Sequence, residues 1–266
     1  MSFQIVFEDW PHPDGLMRYG RIPWDSDIFG FPFYQLTISE MSERLAESLP
    51  KLLSFFCEQS KDKCLVCTKI PSQQVTKMRT LAEHGFYPIE TMVEPYRDLR
   101  SFSGTRHFER LSLRPARVED TSQLFSIARS AFSTDRYHLD PNLSDDRASY
   151  RYEFWLENGM KSGDHVLVYR DSTHDRLLGF CHLKEMGKGV VDFSLAAIDP
   201  GFQKAGFGVM MYSECLMECQ TMGYSEIVTR VSLNNIAVLN IYAHLGFLFR
   251  QPTVTLHWYA DHSKKI

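Results

Sequence analysis

The sequence predicts an α/β (α+β) protein made of two related halves around mixed sheets, and three observations carry that prediction. Strand-like and helix-like apolar patterns alternate along most of the chain. Between residues 165 and 198 the pattern changes to three strand-like runs separated by polar turns, as an antiparallel meander requires. Finally, two stretches far apart align without a gap. Thr68-Lys69-Ile70 lies over Thr229-Arg230-Val231, Gln74-Val75 over Asn235-Ile236, Ala82 over Ala243 and Gly85-Phe86 over Gly246-Phe247. Both stretches read strand, helix, Gly-Phe, strand, the signature of a degenerate structural repeat.

The polar run from Arg100 to Arg106 has linker composition and places a boundary near residue 105, dividing the chain into 1–105 and 106–266. Beyond it, Leu111 to Ala116 is a short strand. Val118-Glu119-Asp120 then leads into a helix with Leu124, Ile127, Ala128 and Ala131 on one side. A second helix is expected from Asp146 to Asn158, ended by Gly159. The meander takes His165–Arg170, Arg176–Glu185 and Val190–Ile198. After it come a helix from Gly206 to about Met222, a strand Glu226–Val231, a helix from about Asn234 to Leu245 and a last strand from Phe247 to Tyr259.

At 266 residues and 44% hydrophobic content the chain can bury a sizeable core. A formal net charge of −4 with no basic run longer than two argues against general attraction to nucleic acid or to an anionic membrane, so an anionic ligand needs a local site. The start of the chain shows no export signal, and no apolar run approaches the ~18 residues of a membrane span. The expected location is the cytoplasm. Cys215 and Cys219, one turn apart on an apolar helix face, read as reduced buried thiols. The pair Cys64 and Cys67 has metal-site spacing, but it lies on a strand, where three residues apart means opposite faces, so no metal is expected.

The segment from Leu195 to Gly208 carries the clearest chemistry. A buried-looking strand runs through a sharp turn into the loop Gln203-Lys204-Ala205-Gly206-Phe207-Gly208, which opens a helix anchored by Tyr212, Cys215, Leu216 and Cys219. Free amides at a helix amino end, with glycines that let a bulky group approach the backbone, form an anion cradle. The spacing matches neither a dinucleotide fingerprint nor a nucleotide-triphosphate loop.

With Gln203, Gly206 and Gly208 in the positions Gln or Arg, two residues, Gly, one residue, Gly or Ala, the loop resembles the signature of the GNAT superfamily of acyltransferases. The downstream run from Asn235 through Ala237 and Tyr242 to Gly246-Phe247 is similar to that family's Asn, Ala, Tyr, Gly-Phe pattern, and together the matches span residues 110 to 260. The resemblance implies a mixed sheet with a splayed pair of strands, preceded here by a smaller GNAT-like half. It implies acetyl-CoA as acyl donor, held by the main chain of Ala196, Ala197 and Ile198, by the amides of Lys204, Ala205, Gly206, Phe207 and Gly208, and by Asn235 or Asn240. It also makes Tyr242 the acid that protonates the leaving thiolate. The first half has Leu81 in place of Tyr242 and no glycine loop, so one active site per chain is expected.

One branch of that superfamily, the dTDP-fucosamine acetyltransferases, is similar over almost the whole chain. The matching motifs are Trp24-Asp25-Ser26-Asp27-Ile28-Phe29-Gly30, Gly85-Phe86 with Glu90 after it, Ala131-Phe132 to Arg136, Phe154-Trp155-Leu156-Glu157-Asn158 and Lys184-Glu185. That resemblance implies acetylation of the 4-amino group of a dTDP-4-amino-4,6-dideoxyhexose, with Glu90 near the substrate amine; on its own pattern Glu90 reads as a solvated strand residue. Arg136, His138, Arg151 and Trp155 form the expected nucleotide-sugar contacts, aromatic faces for stacking and Arg for phosphate. The segment Asp140 to Asp146 departs from the branch by its acidity. A different amine acceptor, such as an amino acid, an antibiotic precursor or a peptide terminus, and a non-catalytic acyl-CoA-binding module stay open, as does a homodimer.

Overall fold

The computed structural model describes residues 4–10, 17–39, 44–60, 63–104, 111–203 and 205–261. Along the chain the elements are β1 (Glu8–Asp9), β2 (Met17–Arg21), α1 (Pro23–Phe29), β3 (Phe33–Ile38), α2 (Arg44–Gln59), β4 (Lys63–Pro71), α3 (Val75–Glu83), β5 (Tyr87–Val93) and β6 (Pro95–Asp98). They continue with β7 (Leu111–Pro115), α4 (Thr121–Ser130), α5 (Arg136–Leu139), α6 (Asp145–Ser162), β8 (His165–Asp171), β9 (Arg176–Gly187) and β10 (Val190–Ile198). The last are α7 (Phe207–Thr221), β11 (Glu226–Val228), β12 (Val231–Ser232), α8 (Ile236–His244), β13 (Leu248–Phe249) and β14 (Thr253–Asp261).

The chain packs as two compact units, each drawn from separate stretches. An N-terminal unit takes Ser2–Met92, Leu139–Arg147 and Gln251–Ile266; a loop-bearing unit takes Val93–His138 and Ala148–Arg250. In the N-terminal unit the strand order is β1-β2-β3-β4-β14-β5, with β3 and β4 parallel and β14 antiparallel to both its neighbours. One face of this sheet packs Leu36, Val66, Ile70 and Leu256 against Leu45, Leu49, Leu52 and Phe56 of α2 and Leu81 of α3. Cys64 joins this core, while Cys67 alternates to the opposite face, and both are buried. Pro23 opens α1 at a position where no amide is needed, and Gly30 closes it with φ 81°.

In the loop-bearing unit the order is β13-β6-β11-β10-β9-β8-β7. The meander forms where the polar turns require it: Asp175 and Lys188 take positive φ, and Gly187 and Gly189 flank the second turn. α4 and α6 cover one face through Leu124, Ile127, Tyr152 and Leu156, packed on Val166, Val168, Phe180, Leu195 and Ala197. α7 covers the other face through Met211, Tyr212, Cys215, Leu216 and Cys219. Each fully buried Leu contributes about 1.5–3 kcal/mol of transfer free energy, so the two apolar layers clamp β10 from both sides.

Three expectations change. Gly159 does not end the second helix; α6 runs on to Ser162, and a Cβ at Gly159 would overlap the His182 ring, so the glycine serves close packing instead. The strand expected from Glu226 to Val231 breaks after Val228. The last strand divides around Pro252: Leu248–Phe249 pairs with β6, whereas Thr253–Asp261 lies between β4 and β5.

Candidate active site

β10 and β11 are parallel neighbours only from Val190↔Glu226 to Asp192↔Val228, while β10 runs on to Ile198 against β9. The register of β10 on β9 shifts between Phe193 and Leu195, a bulge that adds one residue and increases the local twist. The two parallel strands therefore part just beyond Asp192. At this fork the Thr229 hydroxyl donates to the Phe193 carbonyl (2.8 Å), and the Thr229 amide donates to Pro95 on the other side (2.9 Å).

Tyr242 reaches the same point from α8. Its ring is 3% exposed, edge-on to Tyr212 (centroids 5.5 Å apart, 66° between planes) and tilted on Phe247 (4.7 Å). Burial pushes its phenol far above the ordinary tyrosine value, and hydrogen bonds with Thr229 and Tyr212 draw it part of the way back. Burial pushes Tyr212 up as well, and its hydrogen bond to Tyr242 adds to the rise. A phenol so placed holds its proton through the neutral range, the state a proton donor needs. Below it, Cys181, Cys215 and Cys219 are buried free thiols.

The loop after β10 is built by its own side chains. Asp199 accepts from the Gly201 amide (2.8 Å), and Gln203 Nε2 donates back to the Ile198 carbonyl (3.2 Å). Gly206 caps α7 in the left-handed region (φ 81°, ψ −6°), and among the described residues no side chain caps the helix and nothing stands within 4 Å of where a Cβ would be. The amino end of this fifteen-residue helix carries about half a positive charge and is open to an anion. A Cβ at Gly208 would stand 3.0 Å from Ile241 Cδ1, so Gly208 sets the approach of α7 to α8. Ala205 is exposed and Phe207 half-buried; Lys204 lies outside the described residues. Asn235 caps α8 by accepting from the Val238 amide (3.3 Å), Asn240 is exposed on the same helix, and Ala196, Ala197 and Ile198 follow the bulge.

A protein-family model, that of the acetyltransferase (GNAT) domain, matches residues 110–248. The chain belongs to the GNAT family. It is an acetyl-CoA-dependent N-acetyltransferase. Over its length this acetyltransferase is similar to the spore coat polysaccharide biosynthesis protein SpsD of Bacillus subtilis (strain 168), 23% identical over 247 residues that cover 91% of this chain and 83% of that one. Its fold is shared by a GCN5-related N-acetyltransferase of Sphaerobacter thermophilus (TM-score 0.69, 12% identity, 95% of this chain and 81% of that one). It is shared too by a tandem GNAT protein from the clavulanic acid biosynthesis pathway (TM-score 0.62, 11% identity, 91% and 78%). The open amino end of α7 and the forked strands fit acetyl-CoA, which this family uses.

Of the four residues of the loop-bearing unit expected to contact a nucleotide sugar, Arg151 and Trp155 contact each other, and Arg136 shares the Tyr137 ring with Arg151. Arg151 lies 4.2 Å from the Tyr137 ring centroid and 5.2 Å from that of Trp155, and Arg136 lies 4.6 Å from Tyr137. His138 is held between Asp135 and Ser149. In the N-terminal unit Glu90 is 5% exposed opposite Thr255, so the strand pattern that reads it as solvated is overturned by burial. Asp140 likewise is no surface charge of an acidic loop. Its carboxylate is 1% exposed, takes His257 Nδ1 at 2.6 Å and the hydroxyls of Tyr259 and Tyr87, and also accepts from the Asn142 amide. Burial works against its charge, but these hydrogen bonds win and hold it at about 2.

Sequence reasoning took Tyr212 only as a helix anchor and Thr229 only as part of the repeat, and it missed Asp135, Ser149 and the pair His182–Asp164 (2.9 Å). Thr229 stood inside the repeat and so carried a faint signal; the others meet their partners only through the fold.

Proposed function

We propose that this acetyltransferase moves an acetyl group from acetyl-CoA to the 4-amino group of a dTDP-4-amino-4,6-dideoxyhexose, as the dTDP-fucosamine acetyltransferases do. The acceptor is chosen on the motif order of both halves, and the similarity to a polysaccharide biosynthesis protein supports a sugar-linked amine. The observation that carries the mechanism is the hydroxyl of Tyr242, tied through Thr229 to the Phe193 carbonyl where β10 leaves β11.

In this reading acetyl-CoA supplies an activated acyl group as its thioester. The amides at the Gly206 end of α7 bind its pyrophosphate, with Gln203 holding the loop in shape and Lys204 and Ala205 to Gly208 lining it. The main chain from Ala196 to Ile198, with Asn235 and Asn240, aligns the arm along the fork. Direct attack by the uncharged amine builds negative charge on the carbonyl oxygen, and Tyr242 gives its proton to the departing sulfur. Arg136, Arg151 and Trp155 are the nucleotide contacts in this reading, and Glu90 is the carboxylate that the resemblance assigns to the acceptor amine.

The experiment is a panel of amines assayed for acetyl-CoA-dependent CoA release, with dTDP-4-amino-4,6-dideoxyhexoses beside amino acids and peptides. Turnover confined to the nucleotide sugars is expected. Failure of every one of them, with release by another amine, discards the acceptor and keeps the acetyltransferase.

A further inference from the structure

Four His–Asp pairs occur among the described residues, and they differ in what lies beyond the imidazole. His182 with Asp164 is enclosed (side chain 1% exposed), as is His257 with Asp140 (1% and 0%), and His174 with Asp171 sits on a hairpin turn at 59% exposure. His138 passes its second nitrogen to a half-buried hydroxyl: Nδ1 is 2.6 Å from Asp135 Oδ2, and Nε2 is 3.2 Å from Ser149 Oγ.

The proton positions follow from what each group can do. Burial works to raise the Asp135 carboxyl. The hydrogen bonds from His138, the Tyr137 amide (2.8 Å) and Tyr152 outweigh it, so Asp135 lies below the ordinary carboxylate value and is ionised. An ionised carboxylate only accepts, so Nδ1 carries the hydrogen; in the neutral ring Nε2 is then bare and accepts from Ser149. The ring is 8% exposed and stacks on Tyr152 (6.2 Å, 19°), which stacks on Phe132 (4.2 Å, 14°), fixing its orientation. Tyr152 belongs to the same apolar cluster as Leu195 and Ala197, the residues of β10 beyond the bulge. Ser149 is half-buried on α6, and its neighbour Tyr150 is 38% exposed. An oriented, desolvated imidazole thus ends on a half-buried hydroxyl, on the helix whose Tyr152 packs in the cluster that holds β10 beyond the bulge.

We propose that Asp135, His138 and Ser149 form a proton relay that takes the proton of the attacking acceptor amine. This rests on the reading of acetyl transfer given above. As the C–N bond forms, an amine proton passes to Ser149 Oγ while the hydroxyl proton of Ser149 passes to His138 Nε2. The imidazolium is stabilised by Asp135. The C–S bond breaks with the proton from Tyr242 going to sulfur, and exchange with water returns His138 and Tyr242 to their starting states. Ser149 makes no covalent bond to the acyl group; it carries a proton.

The test has a ligand-free arm and a kinetic arm, both on the full chain. In a pH series of ¹⁵N-histidine NMR spectra of the free protein, the neutral form of His138 is expected to carry its hydrogen on Nδ1. Hydrogen on Nε2 overturns the relay, whatever the acceptor proves to be. Kinetically, with acetyl-CoA and the amine that the panel identifies, His138→Ala should lower kcat about 100-fold with the KM for acetyl-CoA unchanged, and added imidazole should restore part of the rate. Ser149→Ala should lower kcat about 10-fold, and Ser149→Thr should keep most of it. Wild-type kcat in both alanine variants, or loss without imidazole rescue in a His138→Ala protein that still binds acetyl-CoA, overturns the relay while leaving the acetyltransferase reading intact. Absence of turnover with every amine, alongside the expected tautomer, counts against that reading instead.

Discussion

The helix Val75–Glu83 in the N-terminal unit and the helix Ile236–His244 in the loop-bearing unit begin and end through the same hydrogen bonds. Gln74 and Asn235 precede them with nearly equal backbone angles (φ −82°, ψ 57° and φ −89°, ψ 66°). Their amides donate to Pro71 (2.9 Å) and Ser232 (3.0 Å). At the far end Gly85 and Gly246 turn left-handed (φ 86° and 72°), and Phe86 and Phe247 donate back to Leu81 (3.1 Å) and Tyr242 (2.9 Å). This is the six-to-one closure of a glycine-ended helix, kept in both copies. The copies diverge in side chains at two of these positions. Leu81 fills a core where Tyr242 brings a phenol to a fork, and Gln74 leaves its helix without a side-chain cap where Asn235 supplies one. A backbone repeat is thus retained by the geometry of its ends, while the copies diverge in single side chains and in one loop.

The largest expected effect concerns the strands around the repeats. β6 follows β5 in the chain yet lies between β11 and β13, and β14 follows β13 yet lies between β4 and β5. A fragment of residues 106–266 would lack β6 and carry β14 without its partners. It should show no cooperative unfolding transition by circular dichroism in denaturant; cooperative folding with acetyl-CoA binding would break the idea that the repeats depend on these strands.

Next come the equivalent positions Leu81 and Tyr242. Leu81→Ala opens a cavity at a site 0% exposed and should destabilise by about 2–5 kcal/mol in denaturant melts. Tyr242→Phe keeps the ring and should lower kcat about 100-fold or more with little change in stability. Because burial raises the phenol above its ordinary value near 10, wild-type kcat should show no Tyr242-dependent alkaline loss below about pH 10. A falling limb under that pH that disappears in Tyr242→Phe contradicts the assignment of its environment.

The two glycines should separate less widely. Gly85→Ala has room beside Trp258 and should cost about 1–2 kcal/mol for its left-handed backbone. Gly246→Ala should cost more, because its Cβ would displace Arg97, whose guanidinium donates to the Gly246 carbonyl (2.5 Å). Equal shifts in denaturation midpoint would remove Arg97 from the account. Smallest is the cap: Asn235→Ala should lose about 1 kcal/mol and Gln74→Ala within about 0.5 kcal/mol, measured the same way.

Much of this was legible in sequence because it depends on residues near one another in the chain. The glycine loop before α7, the polar turns of the meander, the Gly-Phe helix ends and the position of Tyr242 on α8 are local: polar runs mark turns, left-handed helix ends favour glycine, and a helix repeats every 3.6 residues. Gly159 misled for the same reason. Locally it reads as a helix stop, and only the ring of His182, brought over from β9, explains it.

By itself the sequence determined the family pattern, the repeat and the glycine loop before α7, since each is written in short-range spacing. The tertiary structure alone decided which strand completes which sheet, that Asp140 and Glu90 are buried, and that His138 stands between Asp135 and Ser149. Pairing between strands and burial of charge are settled by contacts across long stretches of chain, and no periodicity in a single strand or helix records its partner.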